Sequence, residues 1–203
     1  MPDDLLPDTP GVRVRRATPD DAAALADLAA VTFPLACPPG TSPEAIAAHV
    51  AAQLSPERFR AWAASAAHVL LLVEPAGRPG ADALPDADAL PDAAPLGYAL
   101  LVRGEPDDPD VAAAVGPGEA VELSKIYVHA KAQGTGVSGA LVRAALDAAS
   151  ALAPDAPVWL GTNGLNARAQ AFYRKHGFGT VGSRTYVVGG EEHSDVVMAH
   201  GAS

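Results

Sequence analysis

A mixed α/β fold built around one central sheet of about seven strands is what this sequence predicts. Strand-length apolar runs alternate with capped helical stretches, in the order β-α-α-α-β-β-β-α-β-α-β-β. The length, 203 residues, suits one domain large enough to bury a core without staples. The single cysteine, Cys37, excludes an intramolecular disulfide framework and a cysteine-based zinc cluster.

Val12 to Ala17 alternates Val and Arg and reads as a short strand. Thr18-Pro19-Asp20-Asp21 then opens a helix running to about Thr32, with a cap, a first-turn proline and acids at the positive end. The next stretch, FPLACPPG from Phe33 to Gly40, holds three prolines and a glycine and is expected to be neither helix nor strand. Ser42-Pro43-Glu44 and Ser55-Pro56-Glu57 open two further helices. His68 to Glu74 is an apolar run of strand length. Residues 75–95 repeat the hexamer DALPDA and read as a low-complexity insertion in a hairpin; Leu96 to Arg103 resumes as strand. Glu105 to Gly118 reads as a second acidic loop. Ala120 to Val128 is a strand, Gly136 to Leu152 a helix, Val158 to Gly161 a strand and Asn166 to His176 a helix stopped by Gly177. Phe178 to Val188 and Ser194 to Ala199 are strands on either side of a Gly189-Gly190 turn.

The net charge is −10, but the acids concentrate in residues 1–10 and 75–118. Residues 1–10 are expected as a disordered acidic tail and 11–203 as a single domain. Such charge argues for solubility and against nucleic acid as a partner. No stretch approaches the ~20 apolar residues of a membrane helix, so no membrane partner is expected. The N-terminus lacks the basic and apolar regions of a signal peptide, which makes the cytoplasm the expected compartment. The six histidines show no metal-ligand spacing, and no metal is expected.

Gly134-Thr135-Gly136-Val137-Ser138-Gly139 matches the pattern GxGxxG. A dinucleotide fingerprint needs its glycines directly after a strand, whereas five residues intervene here, His129 to Gln133. No Lys-Ser/Thr pair follows, so a Walker loop is excluded too. Glycines before a helix still let backbone N–H groups approach an anion at the helix's positive end. The alternatives are a pyrophosphate cradle and a tight turn without a ligand.

Gln133-Gly134-Thr135-Gly136-Val137-Ser138, following Ile126-Tyr127-Val128, resembles the Q/R-x-x-G-x-G/A signature of the GNAT acetyltransferases, with Ser138 where Gly or Ala is usual. A second motif of that family follows in order, from Asn166 through Ala169, Phe172 and Tyr173 to Gly177 and Phe178. The resemblance covers nearly all of residues 11–200, and the fine pattern looks like the bacterial polyamine acetyltransferases of the Pai type. It implies a mixed sheet with a splay between strands four and five, flanked by helices. It implies acetyl-CoA as cosubstrate, a small-molecule amine acceptor, either a small amine or a polyamine-like one, and direct transfer in a ternary complex. A homodimer is common among such enzymes.

The resemblance places the coenzyme's pantetheine arm on the backbone of Ile126, Tyr127 and Val128, and its pyrophosphate on Gln133 to Gly139. It places Asn166, Arg168 and Lys175 near the arm or the phosphates. Asn166 is also a candidate helix cap, and Arg168 and Lys175 are equally candidates for a solvated helix face. Acyl transfer needs a base for the ammonium and an acid for the leaving sulfur. Tyr173, two helical turns after Asn166, is the candidate acid, against the alternative of a core tyrosine. Glu122 is the candidate base, sharing strand parity with Ser124, Ile126 and Val128; an edge charge facing solvent is the alternative. Acceptor contacts are expected from Phe33 to Ala52 and from about 180–198, where Glu191, Glu192 and Asp195 either bind a cation or are turn charges. The rivals to a small-molecule enzyme are a CoA-binding sensor or interaction module without turnover, and an acetyltransferase acting on protein N-termini or lysines.

Overall fold

The computed structural model describes residues 11–37, 40–76, 94–188 and 191–202. The acidic tail, most of the 75–95 insertion and the Gly189-Gly190 turn lie outside them. Seven strands form one sheet in the order β1-β2-β3-β4-β5-β7-β6. The chain forms two compact units, residues 1–100 with 125–144 and residues 101–124 with 145–203.

In the first unit, β1 (Val12–Arg16) pairs antiparallel with β2 (His68–Pro75), from Val12 opposite Pro75 to Arg16 opposite Leu71. The run Val69 to Val73 is buried throughout, which explains its unbroken apolar sequence. Over β1, the Arg15 guanidinium holds both oxygens of Asp21 at 2.8 Å and reaches Glu74 at 3.2 Å. Asp21 also accepts from the backbone N–H of Thr18 at 2.7 Å, closing the cap ahead of α1 (Ala22–Thr32). Leu25, Leu28 and Ala29 form the buried stripe of α1. The proline-rich stretch after it is a single 3-10 turn, Phe33–Ala36, so the expectation of no helix at all is corrected: Pro34 sits where no backbone donor is required. α2 (Pro43–Gln53) and α3 (Pro56–Ala64) each start with proline behind a serine whose hydroxyl accepts from the third helical N–H. Phe59 of α3 is fully buried.

The chain passes between units within β3 (Gly97–Gly104), β4 (Ala120–Val128) and α5 (Val137–Leu152). In the second unit, β5 (Val158–Asn163) pairs antiparallel with β7 (Glu191–His200), and β7 with β6 (Phe178–Val188). β4 and β5 are parallel, with a register of two positions only, Val121 opposite Val158 and Glu122 opposite Trp159. That short ladder is what a splay between strands four and five requires.

The acidic 105–118 segment is not all loop: it contains α4 (Pro109–Val115). Asp108 caps it, its carboxylate accepting from the N–H groups of Asp110 and Val111 at 2.9 and 3.3 Å. Val111, Ala114 and Val115 of α4 pack with Ala120, Trp159, Val197 and Ala199. α6 (Ala167–Lys175) follows β5.

Candidate functional site

Two groups of predicted site residues are assembled, one in each unit. In the first, β4 ends at Val128 and a 3-10 turn, Ala130–Ala132, leads into the glycines. Gly134 and Gly136 have φ of +81° and +94°, the left-handed region where a side chain would be strained. Gln133 to Gly136 are exposed, and α5 starts directly after them. This is an open loop before the positive end of a 16-residue helix, as an anion cradle demands. The Gln133 amide donates to the Val128 carbonyl at 3.3 Å, tying the loop back to the strand. The Thr135 hydroxyl donates to the Ala132 carbonyl at 2.7 Å, so it braces the turn. Val137 is buried, leaving only its backbone to face a ligand, while Ser138 and Gly139 are half-buried.

Beside Ile126 and Val128, the ring of Tyr127 packs between Tyr98 at 5.5 Å and Phe33 at 6.3 Å. Burial, reinforced by nearby Cys37, pushes the Tyr127 hydroxyl up to about 12. Burial also pushes the Cys37 thiol up, which keeps it protonated and poorly nucleophilic at neutral pH. The Tyr127 side chain thus has a packing role that the strand-backbone argument did not foresee.

In the second unit, Asn166 caps α6, its side-chain oxygen accepting from the Ala169 N–H at 3.0 Å. Both readings of Asn166 are compatible, because the amide nitrogen is not used in the cap. Arg168 and Lys175 are exposed on the same helix. Tyr173 is half-buried, its ring 5.4 Å from Phe172 and 5.9 Å from Phe178. Gln170, buried on the same helix, donates to the Gly164 carbonyl at 2.9 Å and anchors the loop before Asn166. Leu165 in that loop is 95% exposed. Neither residue stands out in sequence, where a lone Gln or Leu in a helical segment carries no chemical signature.

The registers assign faces. Paired residues share a face and neighbours alternate. Glu122 lies opposite Trp159, and Trp159 opposite Ala199, the face that α4 covers. Phe178 lies opposite His200, one residue on from Ala199 and therefore on the other face. Tyr173 packs on Phe178, so α6 and Glu122 belong to opposite faces of the sheet. Glu122 is half-buried and is not a fully solvated edge charge.

Asp195 is already paired. Arg184, its register partner, donates to its carboxylate at 3.0 Å and lies 5.9 Å from the Trp159 ring centroid. Gly161 makes room for this arm: a Cβ there would stand 2.9 Å from an Arg184 terminal nitrogen and 3.2 Å from the Asp195 carboxylate. Among the described residues, no group of three or more His, Cys, Asp or Glu could hold a metal ion, and no helix is long and apolar enough to cross a membrane.

Comparison with known proteins supplies the context for this geometry. The model of the acetyltransferase (GNAT) family matches residues 49–178. An uncharacterized N-acetyltransferase of Mycobacterium tuberculosis is 39% identical over 178 residues, covering 88% of this chain and 96% of the relative; one from Mycobacterium bovis matches equally. Among solved structures, the chain is similar to the PaiA N-acetyltransferase from Thermoplasma acidophilum in complex with coenzyme A. That likeness has a TM-score of 0.62 and 15% identity, over 93% of this chain and 98% of the other. It is also similar to Arabidopsis thaliana NAA60 in complex with acetyl-CoA, with a TM-score of 0.66 and 16% identity over 93% and 97% of the two chains.

Proposed function

The chain belongs to the GNAT acetyltransferase family and is an N-acyltransferase, and on that premise we propose that it moves an acetyl group from acetyl-CoA to the primary amine of a small molecule by direct attack in a ternary complex. The observation that carries this reading is the exposed turn Gln133–Gly136, with two left-handed glycines ahead of α5.

Acetyl-CoA, when bound, supplies an activated thioester and a pyrophosphate to grip. Gly134 to Gly139 offer backbone N–H groups to the pyrophosphate. Ile126, Tyr127 and Val128 offer strand backbone to the pantetheine amides, as an added strand would use them. Asn166, Arg168 and Lys175 offer an amide and two cations to the arm and phosphates. Glu122 removes the proton from the ammonium form of the acceptor, directly or through water. Tyr173 donates its phenolic proton to the departing sulfur, and the two basicities are close. Residues 11–203 act as one catalytic domain, and a cytoplasmic homodimer belongs to the same proposal.

The test mixes the protein, acetyl-CoA and a panel of amines, polyamines included, and reads thiol release, with CoA binding followed by calorimetry. Amine-dependent thiol release is the expected result. Tight CoA binding with no amine releasing thiol above background would replace the enzyme with a CoA-binding sensor. Release with peptide substrates alone would move the acceptor to protein N-termini or lysines.

A further inference from the structure

One buried polar atom of the first unit is left without a partner. Tyr98 of β3 is fully buried, and its hydroxyl is the one buried side-chain nitrogen or oxygen among the described residues that makes no hydrogen bond. A phenylalanine there would keep every ring contact: Phe59 edge-on at 5.3 Å and 83°, and Tyr127 tilted by 31° at 5.5 Å. It would also spare the fold the desolvation of an unmatched hydroxyl. Buried groups of this kind are rare in folded proteins, and each calls for a reason.

The place of the hydroxyl supplies one. It lies at the closed end of a line of rings that runs from Tyr98 to Tyr127, from Tyr127 to Phe33 at 6.3 Å, and from Phe33 to His49 of α2, stacked at 4.4 Å and 3°. Burial falls outward along this line. Tyr98 is fully buried, Tyr127 and Phe33 are half-buried, and His49 is exposed. Phe33 and His49 belong to the segment expected to meet the acceptor. Tyr127 belongs to the strand end proposed to hold the pantetheine arm. A ligand reaches Tyr98 by turning the Phe33 and Tyr127 rings, the kind of side-chain change that accompanies binding without backbone motion.

The chemistry of the slot limits what can meet the hydroxyl. Burial first, then neighbouring Tyr127, pushes the Tyr98 phenol far above its usual range, so it keeps its proton and offers a donor. The rings around it cannot solvate a charge, so the matching group is neutral.

We propose, on the acetyltransferase reading above, that the Tyr98 hydroxyl donates a hydrogen bond to a neutral oxygen on the non-reacting part of the acceptor and so determines which amines are accepted. The hydroxyl is unmatched in the free protein because its partner arrives with the substrate. An analogue lacking that oxygen leaves the hydroxyl buried and unpaired, which is the basis of strong discrimination.

The experiment compares Tyr98→Phe with the unaltered protein at saturating acetyl-CoA. The probes are amines of matched length ending in a hydroxyl or a methyl group: 3-amino-1-propanol against butylamine, and 5-amino-1-pentanol against hexylamine. Thermal unfolding and calorimetric CoA binding are read on both proteins. Tyr98→Phe should leave the CoA Kd unchanged and should not lower Tm, raising it by up to roughly 4 °C. The unaltered protein should favour the hydroxyl member of at least one pair by about tenfold or more in kcat/KM, chiefly through KM. Tyr98→Phe should abolish that preference. A lower Tm in Tyr98→Phe places the partner of the hydroxyl inside the fold, in protein or trapped water, and overturns the inference. So does the absence of a hydroxyl preference in the unaltered protein, or a preference that survives in Tyr98→Phe. Amine turnover in those cases leaves the acetyltransferase reading standing, whereas CoA binding with no amine turned over removes both.

Discussion

Gly97→Ala tests whether the start of β3 and the end of β4 are packed as tightly as the structure shows. Gly97 is buried in the first unit. A Cβ built on it stands 2.8 Å from the Tyr127 carbonyl oxygen, 3.0 Å from Val128 Cγ2 and 3.2 Å from Val73 Cγ1. Carbon pairs are most favourable at about 3.5–4.0 Å, so all three neighbours must yield by several tenths of an ångström. None can do so cheaply. One is backbone, and Val73 and Val128 are core side chains. Overpacking of this kind costs about 1–3 kcal/mol. For a chain of this size that lowers Tm by roughly 2–10 °C. The displaced carbonyl belongs to the strand end proposed to meet the pantetheine arm. Losing one good hydrogen bond there weakens CoA binding by about twofold to tenfold. Gly104→Ala is the control: it lies at the other end of the same strand, with nothing within 4 Å of an added Cβ. Guanidinium unfolding and CoA calorimetry on both variants decide the matter. If Gly97→Ala unfolds within about 0.5 kcal/mol of Gly104→Ala and binds CoA as the unaltered protein does, the packing argument is wrong.

Three further predictions concern the site and its support. Tyr173→Phe should lower kcat about a hundredfold or more and leave the CoA Kd nearly unchanged; an unaltered kcat removes Tyr173 from the chemistry. Gly136→Ala meets no neighbour within 4 Å, so its cost, about 1–2 kcal/mol, comes from φ alone, and CoA affinity measured by calorimetry should fall with it. Hydrogen bonds from Arg15, opposed by burial and aided by Thr18, hold the Asp21 carboxyl well below the usual carboxylate range. A depressed acid stabilises the fold above its unfolded value of ~3.9 and loses that contribution as pH falls below it. Asp21→Asn should therefore cost about 1–2 kcal/mol at pH 7, and the stability difference between the two proteins, followed by denaturation curves, should shrink as pH falls below about 4 and vanish only as it passes through the depressed pKa of the folded carboxyl.

Most strands and the two family motifs were legible because each is written locally. His68 to Glu74 is a run of apolar residues that only a strand buried on both faces would need. Gln133 to Gly139 spells its turn in glycines. What escaped was set by competing local signals or by distance in the chain. In α4, the four acids and three prolines of residues 105–118 outweighed a correct start signal, Asp108 followed by Pro109. Ring contacts among residues 33, 49, 98 and 127 join four elements, and no periodicity announces them. Asp195 looked available to a cation until β6 placed Arg184 directly opposite it. Strand parity groups Glu122 with its neighbours along β4, but the face opposite α6 could be known only from the registers of β4, β5, β6 and β7.

The bare backbone at Gly161 also acts as a keyway. β6 carries an irregularity between Thr180 and Gly182, so turn geometry alone does not dictate how the final hairpin is phased. The guanidinium of Arg184 lies across β5 where a Cβ is missing, and it is latched there by Asp195. Sliding either strand by one place would swing that arm to the wrong side of the pleat and strand a charge. A vacancy of one methyl group therefore helps time the closing segment of the molecule, and a larger residue at this position makes the arm and its latch shift.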